Sequence, residues 1–152
     1  DIYEDRVKHI VNEYKAEAVA ADKLYDLDAD IYAPCALGAT VNDETLSRLK
    51  CSIIAGAANN QLADEKIHGE AVTKKGILYA PDFVINAGGL INVYSELSGY
   101  NRDRAMAQAE NIYNTLLSIY KTAKDENIPT YLAANKLAEK RIADVGRLKL
   151  SF

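Results

Sequence analysis

Tryptophan is absent from the 152 residues, and proline and cysteine are scarce, with three and two residues respectively. The cysteines, Cys35 and Cys51, lie inside apolar runs, and the sequence has no Cys-x-x-Cys motif or Cys/His cluster. This excludes the usual spacings of a zinc site or a disulfide framework. We therefore expect no metal site and two buried thiols in a reducing compartment, which indicates a cytoplasmic protein.

Long hydrophobic runs and an excess of basic residues are also missing. No apolar run approaches the roughly 20 residues of a membrane-spanning helix, so we expect no membrane partner. The 18 lysines and arginines are scattered among 22 aspartates and glutamates, which gives a formal net charge of −4. Without a basic face, nucleic acid is not expected as a partner. The length suits one globular domain with a sizeable core.

Familiar site motifs are absent as well. The sequence contains neither G-x-G-x-x-G nor G-x-x-x-x-G-K-[ST], and its two histidines, His9 and His68, fit no nucleophile or metal pattern. We expect both histidines on the surface. The chain starts at Asp1 without a methionine and carries no signal-peptide pattern, so we expect it to be a portion of a longer polypeptide.

Three short apolar runs divide the first half of the chain. Continuous runs of this kind are typical of parallel strands that are covered on both faces. The predicted strands cover residues 31–38, 51–56 and 77–80, and a further short strand is expected at residues 18–20. Because strands alternate with helical patterns, the sequence predicts an α/β fold with right-handed β-α-β units.

Apolar periodicity and capping signals predict the helices of the first half. The first helix covers residues 4–16, and the second begins at Asn42, a typical N-cap residue. The third covers residues 63–75 and ends at Gly76 in the C′ position. These helices would flank the parallel sheet.

The second half of the chain is predicted to be helical. One long helix is expected at residues 101–127, and Pro129 separates it from a second, which begins near residue 131. We assign residues 1–100 to a truncated dinucleotide-binding domain and residues 101–152 to a helical portion of the same domain. Nothing in these two helices is obviously chemical.

Small and amide-bearing residues follow each of the three predicted strands. They are found at residues 35–38, 56–60 and 86–89. In open parallel sheets, ligands bind at the carboxyl ends of the strands. Small residues admit a flat ligand, and asparagine can orient a carboxamide or carbonyl group. Each asparagine alone is equally well explained as a turn cap, and the Gly88-Gly89 pair as a tight turn.

Four segments, in this order, resemble the coenzyme-binding domain of the glutamate/leucine/phenylalanine/valine dehydrogenases. They are DIYAPCALG at residues 30–38, AGAANNQL at 55–62, GILYAPDFVINAGG at 76–89 and GYNRDRA at 99–105. The resemblance extends from residue 1 to about residue 145. It implies a partial Rossmann-type parallel sheet with flanking helices and a C-terminal pair of long helices.

This resemblance implies an oxidoreductase of amino acid metabolism. Such an enzyme reversibly deaminates an apolar, leucine-like L-amino acid to its 2-oxo acid and ammonia, and NAD takes the hydride. Members of the family assemble as homo-oligomers. The family's catalytic residues and phosphate-binding glycines lie outside this chain. We therefore expect no catalytic residue here, no activity from the chain alone and at best weak binding of NAD.

The resemblance also implies the site residues. Asp1 would bind the ribose hydroxyls of the adenosine, and Cys35 and Ala36 would line the ribose and adenine. Further along the cofactor, the implied residues are Asn60 and Asn86 at the nicotinamide end and Gly88 and Gly89, which let the ring approach. Leu90 and Val93 would form part of the substrate pocket. Leucine-specific members commonly carry valine at the position of Leu90, which leaves the preferred amino acid open.

Two other interpretations remain at this point. The chain could be a stand-alone nucleotide-binding or regulatory module without catalysis. It could instead be a helical interaction domain in which residues 101–152 form the working surface. That interpretation requires an exposed apolar stripe on the C-terminal helices, whereas the dehydrogenase interpretation packs them on the sheet or on another domain.

Overall fold

The structure, a computed structural model, describes residues 1–97 and 99–147. Within them the strands are β1 Ile31–Tyr32, β2 Ile53–Ile54 and β3 Leu78–Tyr79, and a 3₁₀ turn covers Leu24–Asp26. The helices are α1 Glu4–Tyr14, α2 Asp43–Arg48, α3 Glu65–Lys74, α4 Asp82–Ile85, α5 Gly88–Leu97, α6 Arg102–Glu110, α7 Ile112–Glu126 and α8 Thr130–Gly146. No helix in this part of the chain is long and apolar enough to cross a membrane.

The three strands form one parallel sheet in the order β1-β2-β3. Ile53 of β2 pairs with Ile31 on one side and with Leu78 on the other. Helix α2 connects β1 to β2, and α3 connects β2 to β3. The predicted α/β class, a small parallel sheet with flanking helices, is therefore confirmed.

The strands are shorter than the apolar runs that predicted them. The run at residues 31–38 gives a strand of two residues, and no strand forms at residues 18–20. Pro34 lies just beyond β1, and because it has no N–H it cannot continue the ladder. Ile31 is 54% exposed, so the expectation that this strand is covered on both faces is wrong. β1 is an edge strand, open on one side.

The main hydrophobic core lies between the sheet and the helices α2 and α3. Ile54 of the central strand and Val41 are completely buried in it, together with Val72 of α3. The predicted cap of α2 is confirmed, since the Asn42 side chain accepts a hydrogen bond from the Thr45 N–H in a capping box. Local signals therefore fixed where this helix begins.

A smaller core cluster joins α4, α7 and α8 through Val84, Ile119, Ala123, Ala133 and Ala134. The single helix predicted at residues 101–127 is instead two helices, interrupted at Asn111. The interruption is a single residue, because the Asn111 N–H still donates to the Ala107 carbonyl and the Asn111 carbonyl still accepts from the Thr115 N–H, both at 3.1 Å.

Helix boundaries at glycine and proline agree with the predictions. Gly76 follows α3 with φ of +75°, the left-handed conformation that favours glycine, and Pro129 is the N-cap residue of α8. The division between residues 1–100 and 101–152 stays a prediction. Residues 148–152, which belong to the second part, lie outside the described residues.

Helix α1 forms as predicted but buries none of its residues. Its apolar positions Ile10 and Tyr14 are exposed. Periodicity therefore identified the helix correctly, although its remaining apolar positions, Val7 and Val11, are only half-buried.

Candidate functional site

The loops after β1, β2 and β3 meet at the carboxyl ends of the strands. We call residues 33–41, 55–61 and 80–87 together the strand-end edge. The Ala58 N–H donates to the Pro34 carbonyl at 2.9 Å, and the Ala39 N–H donates to the Asn60 carbonyl at 2.7 Å. The loops after β1 and β2 are thus in direct contact.

Two glycines allow the first two of these loops to approach each other. A Cβ on Gly56 would lie 2.2 Å from the Pro34 carbonyl oxygen, and one on Gly38 would lie 2.7 Å from the Asn59 carbonyl oxygen. Both neighbours are backbone atoms, which cannot move aside as a flexible side chain would. These glycines therefore serve loop-to-loop packing.

The second and third loops are joined by a pair of asparagines. Asn86 Nδ2 donates to Asn59 Oδ1 at 2.6 Å and lies 3.4 Å from the Ala57 carbonyl oxygen. Within the described residues, the Oδ1 of Asn86 and the Nδ2 of Asn59 have no hydrogen-bond partner. This pair can thus offer an acceptor and a donor to a ligand, as a carboxamide requires.

Asn60 lies beside this pair and has an exposed side chain. Its φ is +51°, a left-handed conformation that asparagine tolerates better than most residues. Its carbonyl accepts the hydrogen bond from the Ala39 N–H. The backbone of Asn60 is thus held in place, while its side-chain amide lies outside the core.

Cys35 is exposed, so the prediction that it is buried is wrong. The chain leaves the sheet before this residue, and the Cys35 sulfur accepts a hydrogen bond from the Ala57 N–H at 3.4 Å. Ala36 is exposed beside it. Cys51 is buried as predicted, and burial raises the pKa of its thiol.

His68 is buried, so its predicted surface position is wrong, whereas His9 is exposed as expected. His68 Nδ1 accepts a hydrogen bond from the Asp64 N–H at 2.8 Å, which turns the ring toward the start of α3. Its Nε2 lies 3.5 Å from a carboxylate oxygen of Asp43. Among the described residues, no group of three or more His, Cys, Asp or Glu could hold a metal ion.

Gly88 and Gly89 form the first turn of α5 and not a separate tight turn. The short helix α4, which was not predicted, lies between them and β3. A Cβ on either glycine would meet nothing within 4 Å. The surface over the glycine pair is therefore open.

Leu90 and Val93 stand on the outer face of α5, which also carries Tyr94 and Leu97. Leu90 is 74% exposed and Val93 is 63% exposed. Leu90 also borders a cavity of about 840 Å³ that lies between α5 and the helices α6, α7 and α8. An apolar surface thus begins at the residue that directly follows the glycine pair.

No interaction among the described residues brings Asp1 to the strand-end edge. Its carboxylate accepts a hydrogen bond from the Tyr3 N–H at 3.0 Å and lies 3.8 Å from the Arg6 guanidinium. Both partners belong to the same terminal segment.

Sequence reasoning missed Gln61 and Asp82. Gln61 is completely buried, and its Nε2 donates to the carbonyls of Gly56 and Ala58 at 2.7 and 3.0 Å. Asp82 accepts a hydrogen bond from the Gln61 N–H at 3.2 Å. The only signal for Gln61 in the sequence is its place directly before the apolar Leu62, and in the structure its side chain points inward.

Comparisons with known proteins agree with this architecture. The sequence pattern of the Glutamate/Leucine/Phenylalanine/Valine dehydrogenase family matches residues 2–149. The chain is 53% identical over 152 residues to a leucine dehydrogenase of Thermoactinomyces intermedius, covering 100% of this chain and 41% of that relative. It is 49% identical over 149 residues to an L-tryptophan dehydrogenase of Nostoc punctiforme, covering 98% and 42%.

A solved structure extends the comparison to the fold. The crystal structure of L-tryptophan dehydrogenase from Nostoc punctiforme superposes with a TM-score of 0.93 at 49% identity, covering 97% of this chain and 45% of that one. The chain thus spans less than half the length of the relatives that it matches. The family pattern covers almost all of its residues, and the chain belongs to the glutamate/leucine/phenylalanine/valine dehydrogenase family.

Proposed function

We propose that this chain is the coenzyme-binding portion of an NAD-dependent amino acid dehydrogenase. The whole enzyme would reversibly deaminate an apolar, leucine-like L-amino acid to its 2-oxo acid and ammonia. The observation that carries this proposal is the strand-end edge, where loops from three parallel strands present an asparagine pair beside an open glycine pair. We propose that the whole enzyme is a cytoplasmic homo-oligomer.

The residues of the strand-end edge fit a nicotinamide dinucleotide. The free acceptor of Asn86 and free donor of Asn59 complement a carboxamide, and Asn60 offers a further exposed amide. Open space over Gly88 and Gly89 leaves room for a flat ring. NAD, when bound, supplies the hydride acceptor, and these side chains would orient and enclose it.

The adenosine end of the cofactor would lie along the first loop. Cys35 and Ala36 are both exposed there and can contact a ribose or adenine. We propose that Asp1 binds the ribose hydroxyls, a role that suits a carboxylate facing a diol. Its side chain keeps 40% exposure beside Arg6. This assignment requires the terminal segment to lie against the cofactor.

The substrate side chain would contact Leu90 and Val93. Both are apolar and exposed, and they follow the glycine pair on α5. An apolar amino acid side chain that binds there would be removed from water, which is favourable. The exposed apolar residues of α7 and α8, such as Tyr113 and Ile142, would be covered by the rest of the enzyme.

Exchange of this chain into a relative tests the proposal. The 152 residues would replace the matching segment of the Thermoactinomyces intermedius leucine dehydrogenase. We expect the chimera to reduce NAD with leucine and the chain alone to be inactive. An inactive, folded chimera together with tight NAD binding by the isolated chain would favour a stand-alone nucleotide-binding module instead.

A further inference from the structure

Gln61 is the one residue of the strand-end edge that hydrogen-bonds to the loops of all three strands. Its side chain donates to Gly56 and Ala58, which lie in its own loop after β2. Its backbone N–H donates to Asp82 after β3, and its carbonyl accepts from the Val41 N–H at 3.0 Å, after β1. These bonds connect every part of the edge through a single buried residue.

The side-chain amide of Gln61 has a defined orientation. Exchanging Oε1 and Nε2 would place an oxygen against the two carbonyl oxygens that now accept hydrogen bonds. Its Oε1 is buried and has no hydrogen-bond partner within the described residues. A buried polar group with an unsatisfied acceptor lowers stability, so packing alone does not account for a glutamine at this position.

The two carbonyls that Gln61 holds flank Ala57, whose own carbonyl lies near Asn86 Nδ2. Fixing residues 56–58 therefore fixes the position of Asn59 relative to Asn86. We propose that Gln61 is a positioning residue that sets the asparagine pair in the geometry required by NAD, an inference that rests on the proposed function. Gln61 itself does not touch the cofactor.

Lys75 supplies a matched control at the opposite edge of the sheet. Its Nζ also donates to two backbone carbonyls, those of Leu46 and Leu49, the latter at 2.7 Å. Lys75 precedes β3 and Leu49 precedes β2, so these bonds lie at the amino ends of the strands. Gln61→Met and Lys75→Met thus each remove two hydrogen bonds to backbone carbonyls, at opposite ends of the strands. Those of Lys75 come from a charged group, so this control removes at least as much hydrogen-bond energy.

The test compares both variants of the 152-residue chain by amide hydrogen exchange and by titration with NAD. We expect Gln61→Met to speed exchange of the Ala39 and Ala58 amides. NAD binding should weaken about tenfold, because a displaced asparagine pair would lose one or two hydrogen bonds to the carboxamide. Lys75→Met should change neither. Equal exchange at these amides in the two variants, or unchanged NAD affinity in Gln61→Met, would overturn the proposal.

Gln61→Glu provides a second variant if Gln61→Met does not fold. A protonated carboxyl can donate one hydrogen bond to a carbonyl, whereas a carboxylate donates none. Protection of Ala58 in this variant should therefore increase as the pH falls, and a pH-independent result would contradict the inference.

If the wild-type chain and its chimera both fail to use NAD, the proposed function fails, while hydrogen exchange still decides whether Gln61 positions the loops.

Discussion

The strand-end edge and the outer face of α5 adjoin in the chain, yet they are held in different ways. Hydrogen bonds link the loops of the edge, from Ala58 to Pro34 and from Asn86 to Asn59. On α5, Leu90 and Val93 project into solvent without comparable support. The strand-end edge, where we propose that the cofactor binds, is thus held together by hydrogen bonds within the chain. The outer face of α5, where we propose that the substrate binds, is only an exposed apolar surface.

This difference indicates which residues the fold depends on and which can be substituted without disturbing it. A change in the strand-end edge alters contacts between several backbone segments, so it should affect stability and ligand geometry together. A change on the outer face of α5 removes little buried area, so it should affect specificity alone. Substitutions in the two regions should therefore have different consequences.

The largest expected effect comes from Gly56→Ala. The added methyl group would meet the Pro34 carbonyl oxygen at 2.2 Å, so the first two loops would have to separate. We expect destabilisation of about 3 kcal/mol, as for severe overpacking, measured by urea denaturation. Gly88→Ala is the control, because its methyl group meets nothing within 4 Å and alanine favours a helix. Equal destabilisation by the two substitutions would contradict this description.

Asn86→Ala should give the next largest effect. It removes the hydrogen bond to Asn59 and the acceptor assigned to the cofactor. We expect the free energy of unfolding to fall by about 1 kcal/mol and NAD binding to weaken about tenfold. Calorimetry on the chimera measures the second effect. A variant that loses stability but keeps its NAD affinity would place the carboxamide elsewhere.

The two cysteines should differ in their reaction with a thiol reagent. Cys35 lies exposed on the strand-end edge, whereas Cys51 is buried and its thiol pKa is raised by that burial. Because the thiolate is the reactive form, native protein should be labelled at Cys35 alone, and Cys51 should react only on unfolding. Protection of Cys35 by NAD would agree with its assigned position, and mass spectrometry identifies the labelled residue. Equal labelling rates in native protein would contradict the difference in burial.

Leu90→Val should have the smallest effect on stability. The side chain is 74% exposed, so we expect a change within about 0.5 kcal/mol. In the chimera, the ratio of kcat/KM between leucine and a larger apolar amino acid should change because the pocket surface has changed shape. Ile54→Val, in the buried core, is the converse control, with lower stability and an unchanged ratio. An unchanged ratio in Leu90→Val would remove this residue from the substrate pocket.

Local signals in the sequence predicted much of the fold. Asn42, Gly76 and Pro129 act through their own backbone or side-chain chemistry, so their positions relative to helices could be predicted. The order of strands and helices likewise followed from apolar runs and periodicity. Small and amide residues were also recognised after each of the three strands, although the contacts between these loops were not predicted.

Features that depend on distant contacts were predicted less well. The apolar run around Cys35 indicated burial, but the chain leaves the sheet after β1 and exposes the thiol. His68 was assigned to the surface, although the turn of α3 directs its ring toward Asp64 and Asp43. Gln61 was missed because its role depends on carbonyls and loops that only the fold brings together.

A titration of the isotope-labelled 152-residue chain with NAD, followed by NMR, tests the central claim most directly. Even weak binding changes the chemical shifts of the groups nearest the ligand. We predict saturable shifts for the side-chain amides of Asn59, Asn60 and Asn86 and for the backbone amides of Gly88 and Gly89. Saturable shifts confined to the cavity between α5 and α8, or no shift at the strand-end edge, would contradict the account.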